Sequence, residues 1–297
     1  MVIFRARSSA KINLSLDILE RLPSGYHTLR SLVHPVGLWD EIELGFHSNG
    51  QRHFICSDPA LQSDDNLCMR AFQAWCEAAD KPYGASIRLR KNIPHGAGLG
   101  GGSGNAAAVL RLVNSHVAEP LPEERLLGIA AKLGADVPLF LKGNPVLMEG
   151  IGEQLSEVAP LEGWVLLLKP CEGFATPTIY RAWDEAQLQS ARATDALAGV
   201  WKSGSLSEVA ARMGNDLERA ARLVSPLPER CVQLLRDAGS LGAMMSGSGS
   251  ACFGLFLNQS EASKAQQSLE EAMAKDVLLK GATTFLAPLE RRGVELL

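Results

Sequence analysis

Apolar and polar residues alternate along Ile12-Asn13-Leu14-Ser15-Leu16-Asp17-Ile18. This period of two puts the four aliphatic side chains on one face of a strand and Asn13, Ser15 and Asp17 on the other. Strands are predicted over 2–7 and 12–19. After the turn signal Pro23-Ser24-Gly25, more follow at 28–36, 40–47 and 51–57. After Asp64-Asp65-Asn66 the period becomes helical. Leu67, Ala71, Phe72, Trp75 and Ala78 share one side, and the polar triplet supplies the N-cap. Ile87 and Leu89 return to strand spacing and lead into a glycine-rich stretch. Helices are predicted over 103–116 and 121–133, the second stopped by Gly134, with a strand near 145–149. Pro160-Leu161-Glu162-Gly163 reads as a boundary. Beyond it come a strand at 164–169, several helices between 176 and 237, and strands at 241–246 and 250–257. A helix at 261–274 and a strand near 276–286 complete the pattern. Strands and helices mix without strict βα alternation, which predicts an α+β protein of two domains.

Composition narrows the function classes. A length of 297 residues fits two domains, and a net charge of −4 argues against a protein that holds nucleic acid by a global basic field. A local nest of N–H groups can still bind anions. The six cysteines form no C-x-x-C pair, so they read as reduced thiols rather than zinc ligands. The opening MVIFRARSSAKINLSL alternates like a strand instead of showing the apolar core of a signal peptide. The richest apolar run, Trp164-Val165-Leu166-Leu167-Leu168, is a strand's length and far short of a bilayer span. A cytoplasmic protein without a membrane partner is expected. The oligomeric state is not encoded in any of these features.

The segment with the clearest chemistry is Pro94-His95-Gly96-Ala97-Gly98-Leu99-Gly100-Gly101-Gly102-Ser103-Gly104, with six glycines in nine positions before an Ala-rich helix. Glycine permits close backbone approach, and the helix start offers unpaired N–H groups to phosphate. It is not a Walker A loop, since no Gly-Lys-Ser/Thr closes it. The dinucleotide spacing Gly96, Gly98, Gly101 is a weak match without an acidic residue closing the next strand. Alone, the loop leaves a nucleotide pocket and a cofactor pocket both open. Lys11 and Asn13 sit on the polar face of the first apolar-patterned strand. Asp136, in Gly134-Ala135-Asp136-Val137-Pro138, has the position of an N-cap. Met245-Ser246-Gly247-Ser248-Gly249-Ser250 joins two strands with residues small enough to pack against a ligand or the first loop.

These segments, in this order, resemble the GHMP kinases over nearly the whole chain. PHGAGLGGGSGNAA is similar to that family's phosphate loop, GADVPLF to the segment carrying its catalytic aspartate, and MMSGSGSACFGLF to its third motif. AKINL followed by GYH, with EGIGE, Thr176-Pro177 and NDLE, narrows the likeness to members acting on a cytidine-diphosphate-linked alcohol. Homoserine- or mevalonate-type kinases and a non-catalytic nucleotide-binding paralogue are the alternatives. The chain departs from the pattern in three places: Arg21 is one position early, Ser24 replaces an Asp, and Gly104 stands where Ser is common.

The resemblance implies two GHMP domains, 1–158 completed by the tail 283–297 and then 159–282, with the active site in the cleft between them. It implies ATP and Mg²⁺, with Pro94, His95, Gly96, Ala97, Gly98, Leu99, Gly100, Gly101, Gly102, Ser103 and Gly104 around the phosphates. Asn66 and Lys91 would lie at the adenosine end. Asp136 would take the proton of the attacking hydroxyl, with Lys11 beside it. Asn13, Tyr26, His27, Thr176 and Tyr180 would hold the substrate, and stacking would give about 1–3 kcal/mol per base. The glutamates of EGIGE are expected to be structural.

Overall fold

The alternating N-terminal segment forms two strands, β1 (Ile3–Asn13) and β2 (Ser15–Arg21), which break at Leu14. The computed structural model describes residues 2–47 and 50–297. Residues 8–18 are buried without interruption, so the polar face of Lys11, Asn13, Ser15 and Asp17 turns inward rather than to solvent. The strand is covered on both sides, and its polar residues must find partners inside.

The strands predicted at 28–36 and 40–47 are one, β3 (His27–His47). Its pairing with β1 skips from Ser9 opposite Trp39 to Ala10 opposite Val36, so Gly37 and Leu38 form a bulge that absorbs the apparent break. Next come β4 (Arg52–Cys56), β5 (Gly84–Arg90), β6 (Val146–Glu149) and β7 (Gln154–Glu157). In the second half lie β8 (Trp164–Lys169), β9 (Gly214–Asn215), β10 (Ala243–Met245), β11 (Cys252–Phe256), β12 (Thr283–Pro288) and β13 (Val294–Leu296). β7, β9 and β13 have no counterpart among the predicted strands. The helices are α1 (Leu67–Ala79), α2 (Gly101–Ser115), α3 (Glu123–Leu133), α4 (Val137–Lys142), α5 (Thr176–Glu185), α6 (Ala193–Trp201), α7 (Leu206–Ala210), α8 (Asp216–Val224), α9 (Leu227–Asp237) and α10 (Gln259–Met273).

Among the described residues the strands make two sheets. The larger runs β13-β1-β3-β2-β9, with β5 and β6 also on β3, β4 beyond β5 and β7 beyond β6; the smaller runs β10-β11-β8-β12. One apolar core lies between the large sheet and α1 to α4 and includes Phe72, Trp75, Val109 and Phe140. A second fills the space between the sheets, where Ile12, Leu14 and Val36 meet Val165, Leu167, Phe253 and Leu255. The third packs Leu166, Leu168 and Phe256 under α5 and α8 to α10. The result is an α+β fold in layers, helix–sheet–sheet–helix.

The strand expected near 276–286 is a 3₁₀ turn at Val277–Leu279 followed by β12. Asp276 caps the turn, and Gly281 (φ +79°) reverses the chain where a Cβ would lie 2.6 Å from Cys171 Sγ. The tail divides: β12 pairs with β8 in the small sheet, whereas β13 pairs with β1 in the large one. β9, from the second half, adds in parallel to β2, so the large sheet draws strands from both halves.

Candidate active site

The glycine loop enters α2 two residues earlier than the sequence pattern predicts. Gly100 (φ +71°) is the N-cap, no side chain caps the helix, and Ser103 lies in its first turn. The start of this 15-residue helix is therefore left open to an anion. The loop is braced from two sides. Lys11 donates its backbone N–H to Leu99 O at 2.9 Å, and Ala251 donates to Ala97 O at 3.1 Å. Ser246 Oγ donates to Gly98 O at 3.0 Å. At Gly98 (φ +74°) a Cβ would stand 2.2 Å from Ser246 O, so only glycine allows the two small-residue segments to touch. Gly104 faces the other way. Its Cβ would meet Ser9 O at 3.2 Å, so the position packs on β1 and is not placed to offer a hydroxyl to a ligand.

Lys11 and Asp136 converge beside this loop, with Nζ 3.8 Å from Oδ2. Asp136 occupies the N-cap position of α4 but makes no capping bond, so its carboxylate is not committed to the helix. Lys11 Nζ donates to Asn13 Oδ1 at 2.6 Å, Asn13 Nδ2 to Ser31 Oγ at 2.8 Å, and Ser31 Oγ to Ser15 O at 2.5 Å. This chain satisfies Lys11 and Asn13 on the inward polar face; Ser15 Oγ accepts from the Leu32 N–H and Thr194 Oγ1, and Asp17 Oδ2 accepts from the Thr194 N–H. The arrangement leaves the lysine side chain 6% exposed and the aspartate 31% exposed, a buried cation behind an accessible carboxylate.

Lys11, Asn13, Asp136, Tyr26, His27, Thr176 and Tyr180 all line one cleft of about 770 Å³. Thr176, Tyr180 and Asp184 follow at intervals of four on α5, which places them on one helix face. Thr176 Oγ1 meets Ser248 Oγ at 2.8 Å. His27 is buried, and its ring stacks on Tyr180 with centroids 5.3 Å apart, so no base enters between those two rings. Tyr26, 67% exposed, is the free aromatic platform. Burial, with a smaller contribution from the charge of Asp136, pushes the Tyr180 hydroxyl up to about 12, so it stays a neutral hydrogen-bond donor. His27 Nε2 lies 2.8 Å from Asp184 Oδ1, and Arg21 Nε lies 3.5 Å from Asp184 Oδ2. Asp184 was not among the sequence candidates. Its position four residues after Tyr180 was the available signal.

A second cavity of about 400 Å³ opens on the other side of the loop; Gly96, Gly98, Gly100 and Ser103 line both. Asn66, Lys91, Pro94 and His95 border it, but the polar atoms of the first two are engaged within the protein. Asn66 Oδ1 caps α1, and its Nδ2 donates to Leu61 O. The Lys91 ammonium pairs with the buried Asp40 and reaches Asn105 Oδ1 at 3.2 Å. Asp40 Oδ1 also accepts from the backbone N–H groups of Asn92 and Ile93, which fixes the chain entering the loop. No feature of the sequence pattern marked Asp40. Within EGIGE, Glu149 pairs with Arg30 at 2.8 Å and Glu153 accepts from the Ile151 N–H at 2.7 Å.

The GHMP kinases N terminal domain model matches residues 66–144, and the GHMP kinases C terminal model matches 193–275. The chain belongs to the GHMP kinase family. It is 38% identical over 265 residues to the 4-diphosphocytidyl-2-C-methyl-D-erythritol kinase of Citrifermentans bemidjiense, covering 89% of this chain and 93% of that protein. It is 39% identical to the protein of the same name from Desulfitobacterium hafniense, over 86% and 88% of the two chains. Among solved GHMP structures, a 4-(cytidine 5′-diphospho)-2C-methyl-D-erythritol kinase superposes with a TM-score of 0.80 at 30% identity, over 96% and 98% of the two chains. The homoserine kinase of Cytophaga hutchinsonii gives 0.79 at 19% identity over 99% and 97%, a likeness of fold.

Proposed function

We propose that this GHMP kinase transfers the γ-phosphoryl group of ATP to the 2-hydroxyl of 4-(cytidine-5′-diphospho)-2-C-methyl-D-erythritol, releasing ADP and supplying the non-mevalonate route to isoprenoid precursors. The observation that carries this reading is that two cavities share one glycine loop, and the larger of them is lined by Lys11 and Asp136 and by the aromatic side chains Tyr26, His27 and Tyr180. The relatives at 38–39% identity support the cytidyl substrate.

Phosphoryl transfer depends on positioning and charge neutralisation more than on covalent chemistry by the protein. ATP would enter the smaller cavity, with its phosphates on the N–H groups of residues 96–103 and the Ser103 hydroxyl beside them. Asp136 accepts the proton of the attacking hydroxyl. Lys11 holds positive charge against Asp136 and the transferring group, positioned by Asn13. Tyr26 stacks on the base, His27 reads its edge, and Thr176 and Tyr180 line the wall. Among the described residues no three His, Cys, Asp or Glu side chains gather as a cation cage. A Mg²⁺ ion arriving with ATP would have Ser103 as the chain's own oxygen ligand and would supply neutralisation of phosphate charge. Among the described residues no helix is long and apolar enough to cross a membrane. A cytoplasmic location matches the reduced thiols and small-molecule substrates.

The test is ADP release with the cytidyl substrate, homoserine and mevalonate in parallel. Turnover with the cytidyl substrate alone is expected. Turnover with only a non-cytidyl alcohol, or ATP binding without turnover on any of the three, overturns the proposal.

A further inference from the structure

The recess around His27 contains a contact that neither the phosphoryl chemistry nor the stacking requires. His27 comes from the start of β3, and Asp184 reaches it from the last turn of α5, in the other half of the molecule. A carboxylate only accepts hydrogen bonds, so the 2.8 Å contact places a proton on His27 Nε2. Arg21 holds the second oxygen of the same carboxylate, and Tyr180 packs against the imidazole face. Ring and carboxylate are thus fixed from three directions. Nδ1 takes no hydrogen bond from the described residues, and the residue lines the cleft.

We propose that Asp184 is a positioning residue that selects the Nε2–H tautomer of His27, so that Nδ1 accepts from the exocyclic amine of cytosine and rejects uracil. In the neutral ring one nitrogen donates and the other accepts, so committing Nε2 as donor commits Nδ1 as acceptor. Cytosine presents an amine at the 4-position, whereas uracil presents a carbonyl oxygen, which would set two lone pairs against each other. A buried polar group left unpaired discriminates far more strongly than lost packing. Arg21 acquires a purpose here as well: one position early by the family's pattern, it still reaches Asp184. This inference rests on the cytidyl reading of the cleft.

The experiment compares kcat/KM for the cytidine-diphosphate substrate and its uridine-diphosphate analogue in wild type, Asp184→Asn and Asp184→Glu. The asparagine amide can accept from Nε2–H or donate to Nε2, which frees both tautomers. The cytidyl-to-uridyl ratio is expected to fall at least about tenfold in Asp184→Asn, mainly through KM, with partial recovery in Asp184→Glu. Long-range ¹⁵N–¹H correlations of His27 in the wild type should show the proton on Nε2. An equal loss on both substrates, or a wild-type ring protonated on Nδ1 alone, overturns the assignment. If the wild type prefers the cytidyl substrate and Asp184→Asn keeps that preference, the proposed function stands and this inference fails. If the wild type turns over neither nucleotide substrate, both fail.

Discussion

At the scale of single residues, Lys11 and Asp136 are 125 positions apart in sequence and meet at 3.8 Å. Asp136 sits where an N-cap belongs and makes no cap bond, so the helix leaves its carboxylate uncommitted. Asp136→Asn should lower kcat by about 10²–10⁴-fold, the range for a lost general base, while ATP affinity measured by titration is retained. A kcat within the wild-type range would remove Asp136 from the reaction. No helix-capping bond is lost, so any loss of stability should come from leaving the buried Lys11 ammonium without its facing carboxylate. That Lys11 and Asp136 meet beside the glycine loop was legible because their local motifs are distinctive. Asp40 and Asp184 were not, because each acts through a partner distant in sequence: Asp40 through Lys91 and the 92–93 backbone, Asp184 through His27. A single sequence records residue types but not such pairings.

At the scale of elements, the glycine loop is shaped by what touches it. Gly96 and Gly98 both have positive φ, but a Cβ at Gly96 meets nothing within 4 Å, whereas one at Gly98 would strike Ser246 O at 2.2 Å. Gly96→Ala therefore pays only the conformational cost, about 1–2 kcal/mol. Gly98→Ala pays that and must also push the 245–250 segment away from the loop. Thermal or denaturant unfolding should show Gly98→Ala clearly the less stable of the two, and its KM for ATP should rise more. Equal effects would mean that the contact between the loops does not hold the site together. The pattern of alternation found most strands and helices but not their joins. It split β3 at Gly37-Leu38, because a bulge breaks the period without ending the strand. It also fused the 3₁₀ turn at 277–279 with β12, because Val277, Leu278 and Leu279 are as apolar as a strand.

At the scale of the whole molecule, the two halves meet at a buried histidine. His34 on β3 donates through Nδ1 to Pro35 O at 2.9 Å, and its Nε2 accepts from the Leu161 N–H at 3.0 Å. Leu161 lies in the boundary segment, and Trp201 Nε1 donates to Ala159 O, the residue just before that segment, at 2.9 Å. A second proton on His34 would turn Nε2 from acceptor to donor and set it against the Leu161 N–H. Burial lowers the imidazole from 6.5 to about 4, with the bond to Pro35 opposing the shift. Between these values the unfolded chain binds the proton and the folded one does not, so stability rises with pH across that window. The contribution is complete above pH 6.5, is lost as pH falls toward about 4, and amounts to about 3 kcal/mol. Asp17 has the opposite slope: burial raises its carboxyl above 3.8, so its effect favours the fold at lower pH. Comparing wild type with His34→Gln cancels Asp17, because both proteins keep it. Urea unfolding at intervals from pH 4 to 7 should show the wild type losing stability faster on acidification than His34→Gln. Parallel curves would mean that the junction between the halves does not depend on a neutral His34.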